Sequence, residues 1–303
     1  MPVSNRHILE QGAALGALGR AAWSTIESQV LGKKPSKRAP TVPGRIVEAT
    51  LPPRSAELIR DYVKNVGGDP NAYKNTLPAH FFPQWGFGVA SQTFDGLPYP
   101  ITKILNVGCN LDIRAPIPAN EALHVTAQLV DIDDDGRRAV LTTRVVTSTK
   151  SAKEALVAEM IAMVPLKRDK SEPKSNGGSA KKEVSRVPDG ATELAFFDVH
   201  ATAGLDFAKL TGDFNPIHWI KPAARASGFP NVILHGFGTM ARAIEGLNRN
   251  QFAGDTTRLK KWSCRFTKPL VLPAKAGLYT QGNDVFVGVA VGGPAYLVGS
   301  YTT

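Results

Sequence analysis

The chain predicts an α+β fold made of two repeats, each an antiparallel sheet wrapped around one central helix. Three observations carry this. Short motifs recur in the same order in both halves: GGDPNAY (67–73) with TGDFNPI (211–217), WGFG (85–88) with HGFG (235–238), and C-x7-I-P-A (109–119) with C-x7-L-P-A (264–274). Their offsets drift from 144 to 150 to 155 residues, as a duplication with small insertions would leave them. Each half also passes from helix-period to strand-period patterning, and a charged stretch without large apolar groups separates the two.

In the first half, SAELIRDYVKNV (55–66) sets Leu58, Ile59, Tyr62, Val63 and Val66 on one helical face. A short helix over 201–211 takes the matching place in the second half. A second helix follows in each, over 83–94 and 236–249. Then come the alternating runs LHVTAQLVDI, AVLTTRVVTST and ALVAEMIAMVP, and in the second half LKKWSCRFTK, GLYTQG, DVFVGVAV and AYLVGSYT. These are rich in Val, Thr, Tyr and Phe, with DDDG and GND marking turns, as strands in a meander require. The aromatics Phe81, Phe82, Trp85 and Phe87 read as core, with room for an acyl chain as the alternative.

Four segments result: a tail or helix over 1–42, a first repeat over 43–166, a basic flexible linker over 167–190, and a second repeat over 191–303. The linker, KRDKSEPKSNGGSAKKEVSRVPDG, cannot bury enough apolar surface to fold alone. The 303 residues suffice for two cores.

The net charge of +10 resembles a nucleic-acid signal, but its distribution argues otherwise. Residues 1–45 hold seven Lys/Arg against two Glu, and 166–190 hold seven against four acids, which leaves the remainder near +2. The charge therefore belongs to a tail and a linker, and no nucleic-acid partner is expected. Cys109 and Cys264 lie in no CxxC or Cys/His cluster, so neither a metal site nor a disulfide framework is indicated, which fits a cytoplasmic location. No run of about eighteen apolar residues predicts a transmembrane helix. Residues 8–31, followed by KKPSKR, read as a helix packed on the body, or as a weak membrane-surface contact.

The stretch LTGDFNPIHWI (210–220) carries the chemistry. Gly212 can take backbone angles closed to other residues, and Pro216 fixes its own φ and pushes Asn215 towards extended backbone. The result is a shaped loop that can aim Asp213 and His218 at one point. A carboxylate beside an imidazole can grip one water or one substrate hydroxyl and move a proton through it. Asn215 can brace the loop. A capped turn with a structural His is the bland reading of any single member, and the whole string GDxNPxH is what argues against it.

LTGDFNPIH, with GFPNVILHGFGTMA after it, resembles the MaoC-like (R)-specific enoyl hydratase and (3R)-hydroxyacyl-thioester dehydratase family, in its double hot-dog form. The likeness continues through CRFTKPLVLPAKAGLY and more weakly over the first half. It implies Asp213 and His218 as the catalytic acid/base pair. It also implies the Gly236 N–H of the His235-Gly236 pair as the donor to the thioester oxygen, with Asn215 beside it in substrate binding. A helix start presents free N–H groups and partial positive charge, which suits an enolate oxygen. The implied reaction is reversible dehydration of (3R)-hydroxyacyl thioesters and hydration of trans-2-enoyl thioesters in fatty acid metabolism. Acyl-CoA or acyl-carrier protein is the carrier, no metal or redox cofactor is needed, and a homodimer is compatible with it.

The first half departs from the pattern: Asp69 and Asn71 remain, but Lys74 stands where His218 would be and Trp85 where His235 would be. One working site per chain is therefore expected, in the second repeat. Lys268 is a candidate contact for a carrier phosphate. Three rivals stand beside this reading. GFGTMA after NVIL satisfies a dinucleotide fingerprint, yet only strands and turns follow it. A non-catalytic acyl-thioester-binding subunit would not need both Asp213 and His218. A hot-dog thioesterase would release free thiol.

Overall fold

In the computed structural model, residues 3–12, 16, 40–101, 104–166 and 184–303 are described. The basic run at 33–38 and most of the stretch read as a linker, 167–183, lie outside them. The first repeat contributes β1 (Ile46–Leu51), α1 (Ala56–Asn65), β2 (Thr76–Leu77), α2 (Pro83–Ala90), β3 (Leu105–Ile113), β4 (Ile117–Pro118), β5 (Leu123–Asp134), β6 (Arg138–Ser148) and β7 (Leu156–Pro165). The second contributes β8 (Thr192–Val199), α3 (Ala203–Thr211), α4 (Lys221–Ala226), α5 (Gly236–Asn250), β9 (Lys261–Phe266), β10 (Ala274–Gln281), β11 (Asp284–Gly288) and β12 (Ala295–Thr302).

The two repeats share one sheet. Its ten strands run β1-β5-β6-β7-β3-β9-β12-β11-β10-β8, an order that reads the same from either edge once the second repeat's strands are matched to the first's. The midpoint is the antiparallel pair β3–β9, where Cys109 stands directly opposite Cys264. The two cysteine motifs are thus symmetry mates that meet at the joint. Both thiols are free and buried, and burial pushes both pKa values up, that of Cys264 to about 12.

Long strands with strict alternation form because one face must be buried: β6 and β7 alternate buried and half-exposed positions along nearly their whole length. Against the inner face lie α2 and α5. Phe81, Phe82 and Trp85 are wholly buried, and Phe82 and Phe87 meet Phe237 of the other repeat edge-on at 5.7 and 5.3 Å. One apolar core therefore runs across the joint.

Helix α1 is capped by Ser55, whose Oγ accepts from Leu58 N at 3.1 Å. The second helix of the first repeat is shorter than its pattern indicates. It ends at Ala90, and Ser91–Phe94 continue as a 3-10 turn. Strands β1, β3 and β8 carry no distinct sequence signal. β1 and β8 are the two edges, exposing Ile46 and Phe196, and their alternation is weak for that reason. Residues 5–11, within the segment read as a tail or helix, form a 3-10 helix packed on the body.

A cavity of about 590 Å³ opens between the repeats. Its wall combines Phe87, Ala90, Phe94 and Met160 of the first repeat with Asp213, His218, Gly236 and Phe266 of the second. The symmetry-related position holds only about 60 Å³. There Thr256 and Leu259 stand 155 residues after Ile101 and Ile104 of the large cavity, and Tyr73, His80 and Asn248 fill the space. His80 Nε2 pairs with Glu245 Oε1 at 2.9 Å, the Tyr73 hydroxyl donates to the same carboxylate, and Asn248 Nδ2 donates to Tyr73 at 3.3 Å. Hydrogen-bonded side chains occupy the second seat.

Candidate active site

Helix α3 ends at Gly212, which takes φ +81°, the left-handed conformation that stops a helix. The chain then turns through Asp213, whose Oδ1 accepts from Asn215 N at 3.3 Å, and Asn215, whose Oδ1 accepts from Ile217 N at 3.4 Å. Asn215 sits at φ −55°, ψ 122°, as the following proline demands. Pro216–His218 make one 3-10 turn, and Trp219 closes the loop by donating Nε1–H to Phe214 O at 3.1 Å. Asn215 thus serves the loop's shape and also lines the cavity.

His218 is 8% exposed. Its Nδ1–H donates to Ile233 O at 2.9 Å; a carbonyl can only accept, so Nε2 carries the lone pair. The segment bearing Ile233 is itself held by Leu234 N to Leu270 O (2.8 Å) and Leu272 N to Val232 O (2.9 Å). Behind His218, Gly204 of α3 lies so close that a Cβ there would stand 2.0 Å from His218 O. Burial lowers the His218 pKa below its ordinary value, while the Asp213 charge and the Ile233 carbonyl act the other way.

A side-chain atom each of Asp213, His218 and His235 lies within 4.8 Å of the others. Two hydrogen bonds of about 2.8 Å span up to roughly 5.6 Å, so one water or hydroxyl can touch both a carboxylate oxygen and the imidazole of His218.

His235 is the member whose side chain sequence reasoning passed over. Its ring stacks on that of His218, centroids 3.5 Å apart and planes at 23°. Its Nε2–H donates to the main-chain carbonyl of Asp213 at 2.9 Å. Its Nδ1 is buried without a partner. Burial, with the proximity of His218 and Arg242, pushes its pKa well below the usual range and keeps it neutral. The echo of HGFG with WGFG was the available signal, since it pairs His235 with a core aromatic. By residue type the three could hold an ion, but near-parallel stacked rings do not aim two lone pairs at one point. The set suits proton handling on one oxygen.

Gly236 opens helix α5, and its amide finds no acceptor among the described residues. A Cβ at Gly236 would meet the Phe266 ring at 2.6–2.8 Å. The glycine is needed first for Phe266 to pack there, and Phe266 then forms cavity wall beside the free amide. Lys268 also lines the cavity. Lys74, which stands in His218's place, takes a left-handed φ of 42° and is exposed.

One helix laid in each half of a continuous antiparallel sheet, repeated about a central strand pair, defines a double hot-dog protein. A solved Mycobacterium tuberculosis protein described by that fold has 13% identity and a TM-score of 0.55, with 86% of this chain and 96% of that one covered. HtdX of the same organism gives a TM-score of 0.66 at 22% identity, covering 84% of this chain and 99% of that one. Residues 192–287, which hold the site, match the MaoC like domain. Among curated proteins, 3-hydroxyacyl-thioester dehydratase X of M. tuberculosis is 42% identical over 78 residues, 26% of either chain. Probable enoyl-CoA hydratase 2 of Dictyostelium discoideum is 26% identical over 67% of this chain and 68% of its own. The alignments thus span about a quarter of the first relative and about two thirds of the second.

Proposed function

We propose that the protein is a hydro-lyase that reversibly hydrates trans-2-enoyl thioesters and dehydrates (3R)-hydroxyacyl thioesters, with one working site per chain. The observation that carries this is that Asp213 and His218 bring side-chain ligand atoms within 4.8 Å of each other in an apolar cleft that Gly236, whose amide is unpaired among the described residues, also lines. Relatives named as 3-hydroxyacyl-thioester dehydratase and enoyl-CoA hydratase support the reading.

In hydration, Asp213 and His218 hold a water at Cβ of the enoyl group and take one of its protons. The oxygen bonds to Cβ, the π electrons move towards the carbonyl, and the Gly236 N–H stabilises the enolate oxygen. Cα then takes up a proton, so one water is added and the thioester stays intact. Dehydration reverses each step. The apolar wall from Phe87, Phe94 and Met160 takes the acyl chain, and Lys268 meets the carrier's phosphate at the mouth. Acyl-CoA and acyl-carrier protein both satisfy this arrangement. We carry a homodimer and a cytoplasmic location with the reading. Among the described residues no helix is long and apolar enough to cross a membrane.

The test is a panel of crotonyl to dodecenoyl thioesters followed by loss of enoyl absorbance, with chiral analysis of the product. The (3R)-hydroxyacyl thioester is expected. Release of free thiol would instead indicate a thioesterase, and binding without turnover a carrier subunit.

A further inference from the structure

The N-terminal segment has a place in this site that its sequence does not announce. Residues 5–11 cross from one repeat to the other and end at Gln11, 1% exposed. Gln11 Nε2 donates to Lys209 O at 3.1 Å and Leu210 O at 3.2 Å, carbonyls of the last turn of α3, and to His7 O at 3.1 Å. Last-turn carbonyls have no partner within their own helix, and Gln11 is the donor they find among the described residues. Since carbonyls only accept, the amide orientation is determined. Gln11 Oε1 accepts from Gln84 Nε2 at 3.0 Å, and Gln84 Oε1 accepts from Arg54 Nη1 at 3.1 Å.

The segment is fastened elsewhere too. Val3 N donates to Asp206 Oδ1 at 3.2 Å, Lys209 Nζ donates to Val3 O at 3.1 Å, and His7 Nε2 pairs with Asp61 Oδ2 at 2.9 Å. It therefore holds the end of α3 in the second repeat against α1 and α2 in the first. Three residues beyond Leu210 comes Asp213, and Phe87 and Ala90 of α2 are cavity wall.

We propose that residues 3–11 form a strap that sets the position of Asp213 relative to the first-repeat wall, with Gln11 as a positioning residue acting through the carbonyls of Lys209 and Leu210. The inference rests on the proposed role of the Asp213/His218 pair. A misplacement of about 1 Å can cost up to about a hundredfold in rate, so a loosened helix end should act on kcat.

The experiment uses the full-length chain and two substitutions. Gln11→Met keeps the volume and removes the donors. Gln11→Lys restores a donor, with a charge that favours a helix C-terminus. With crotonyl-CoA, Gln11→Met is expected to lower kcat about tenfold with KM within about twofold, and Gln11→Lys to recover at least about half of the wild-type kcat. Amide hydrogen exchange should rise over 209–218 and stay unchanged over 261–266. Wild-type kcat in Gln11→Met, an equal loss in Gln11→Lys, or a uniform rise in exchange would overturn the proposal. Should Gln11→Met not fold, Lys209→Met removes one of the two hydrogen bonds that hold Val3. About a threefold loss of kcat with the same local exchange supports the strap, and no change in either sinks it. A wild-type protein without hydratase activity would end the proposed function, while the exchange measurements would still read the strap.

Discussion

His235 holds Asp213 by its main chain and His218 by its ring face: Nε2–H to the Asp213 carbonyl at 2.9 Å, and a 3.5 Å stack on the imidazole. The loop that carries the proposed acid/base pair is thereby braced from the start of helix α5, whose first residue, Gly236, lines the cleft. Its free nitrogen, Nδ1, is buried without a partner, a cost of about 1–3 kcal/mol at such a site.

His235→Phe should therefore separate position from stability. The apolar ring preserves the stack and removes the orphaned nitrogen, while the half-buried Asp213 carbonyl is left to water. Turnover should fall about tenfold with the melting temperature unchanged or raised. Steady-state rates and calorimetry on the same preparation check both halves.

Removing either member of the pair is more severe. Asp213→Ala and His218→Ala should each lower turnover at least about a hundredfold, the scale of losing a general acid/base, with native circular dichroism. Near-wild-type rates in either would refute the assignment.

The pH dependence has a definite sign. The His218 and His235 pKa values lie below the ordinary 6.5, burial being the first cause for both. Neutral imidazole at His218 thus persists below pH 6.5, and the acid limb of kcat/KM should fall below that value. For stability, the unfolded chain takes up protons from about pH 6.5 downward while the folded chain resists them. Stability is full above 6.5 and is lost as the pH falls towards the folded pKa values. Melting temperatures over pH 5–8 should show this decline, and His235→Phe should reduce it.

Gly204→Ala tests the support behind His218. A methyl 2.0 Å from His218 O cannot be accommodated by a side-chain rotation, because the obstructing atom is backbone. Helix α3 and the 213–218 loop must part. A loss of about 1–3 kcal/mol, the cost of overpacking, is expected together with reduced turnover; urea unfolding and kinetics measure the two.

Lys74→Ala should change turnover by less than about twofold, since the position faces solvent at the loop whose cavity is filled by Tyr73, His80 and Asn248. A large loss would reveal a second working site. Rates with saturating crotonyl-CoA decide it.

The central helices and the long alternating strands, the duplication, and the shape of the Gly212–His218 loop were legible in the chain because each is written locally. Periodicity reports a buried face, Gly212 accepts φ +81°, and Pro216 restrains Asn215. Other features had no local signature. The edge strands β1 and β8 lack clear alternation, and Gly236 could not be read as a seat for Phe266, thirty residues away.

By itself the sequence determined which residues could do acid/base chemistry and on what kind of loop. Only the tertiary structure decided that two repeats share one sheet through Cys109 and Cys264, that first-repeat aromatics wall the second repeat's cleft, and that His235 and Gln11 hold the loop in place. The physical reason is that those are contacts between residues from 17 to 199 positions apart. A backbone angle or a hydrophobic period is a property of neighbours in the chain, whereas a partner for a buried carbonyl is chosen by whatever the fold brings next to it.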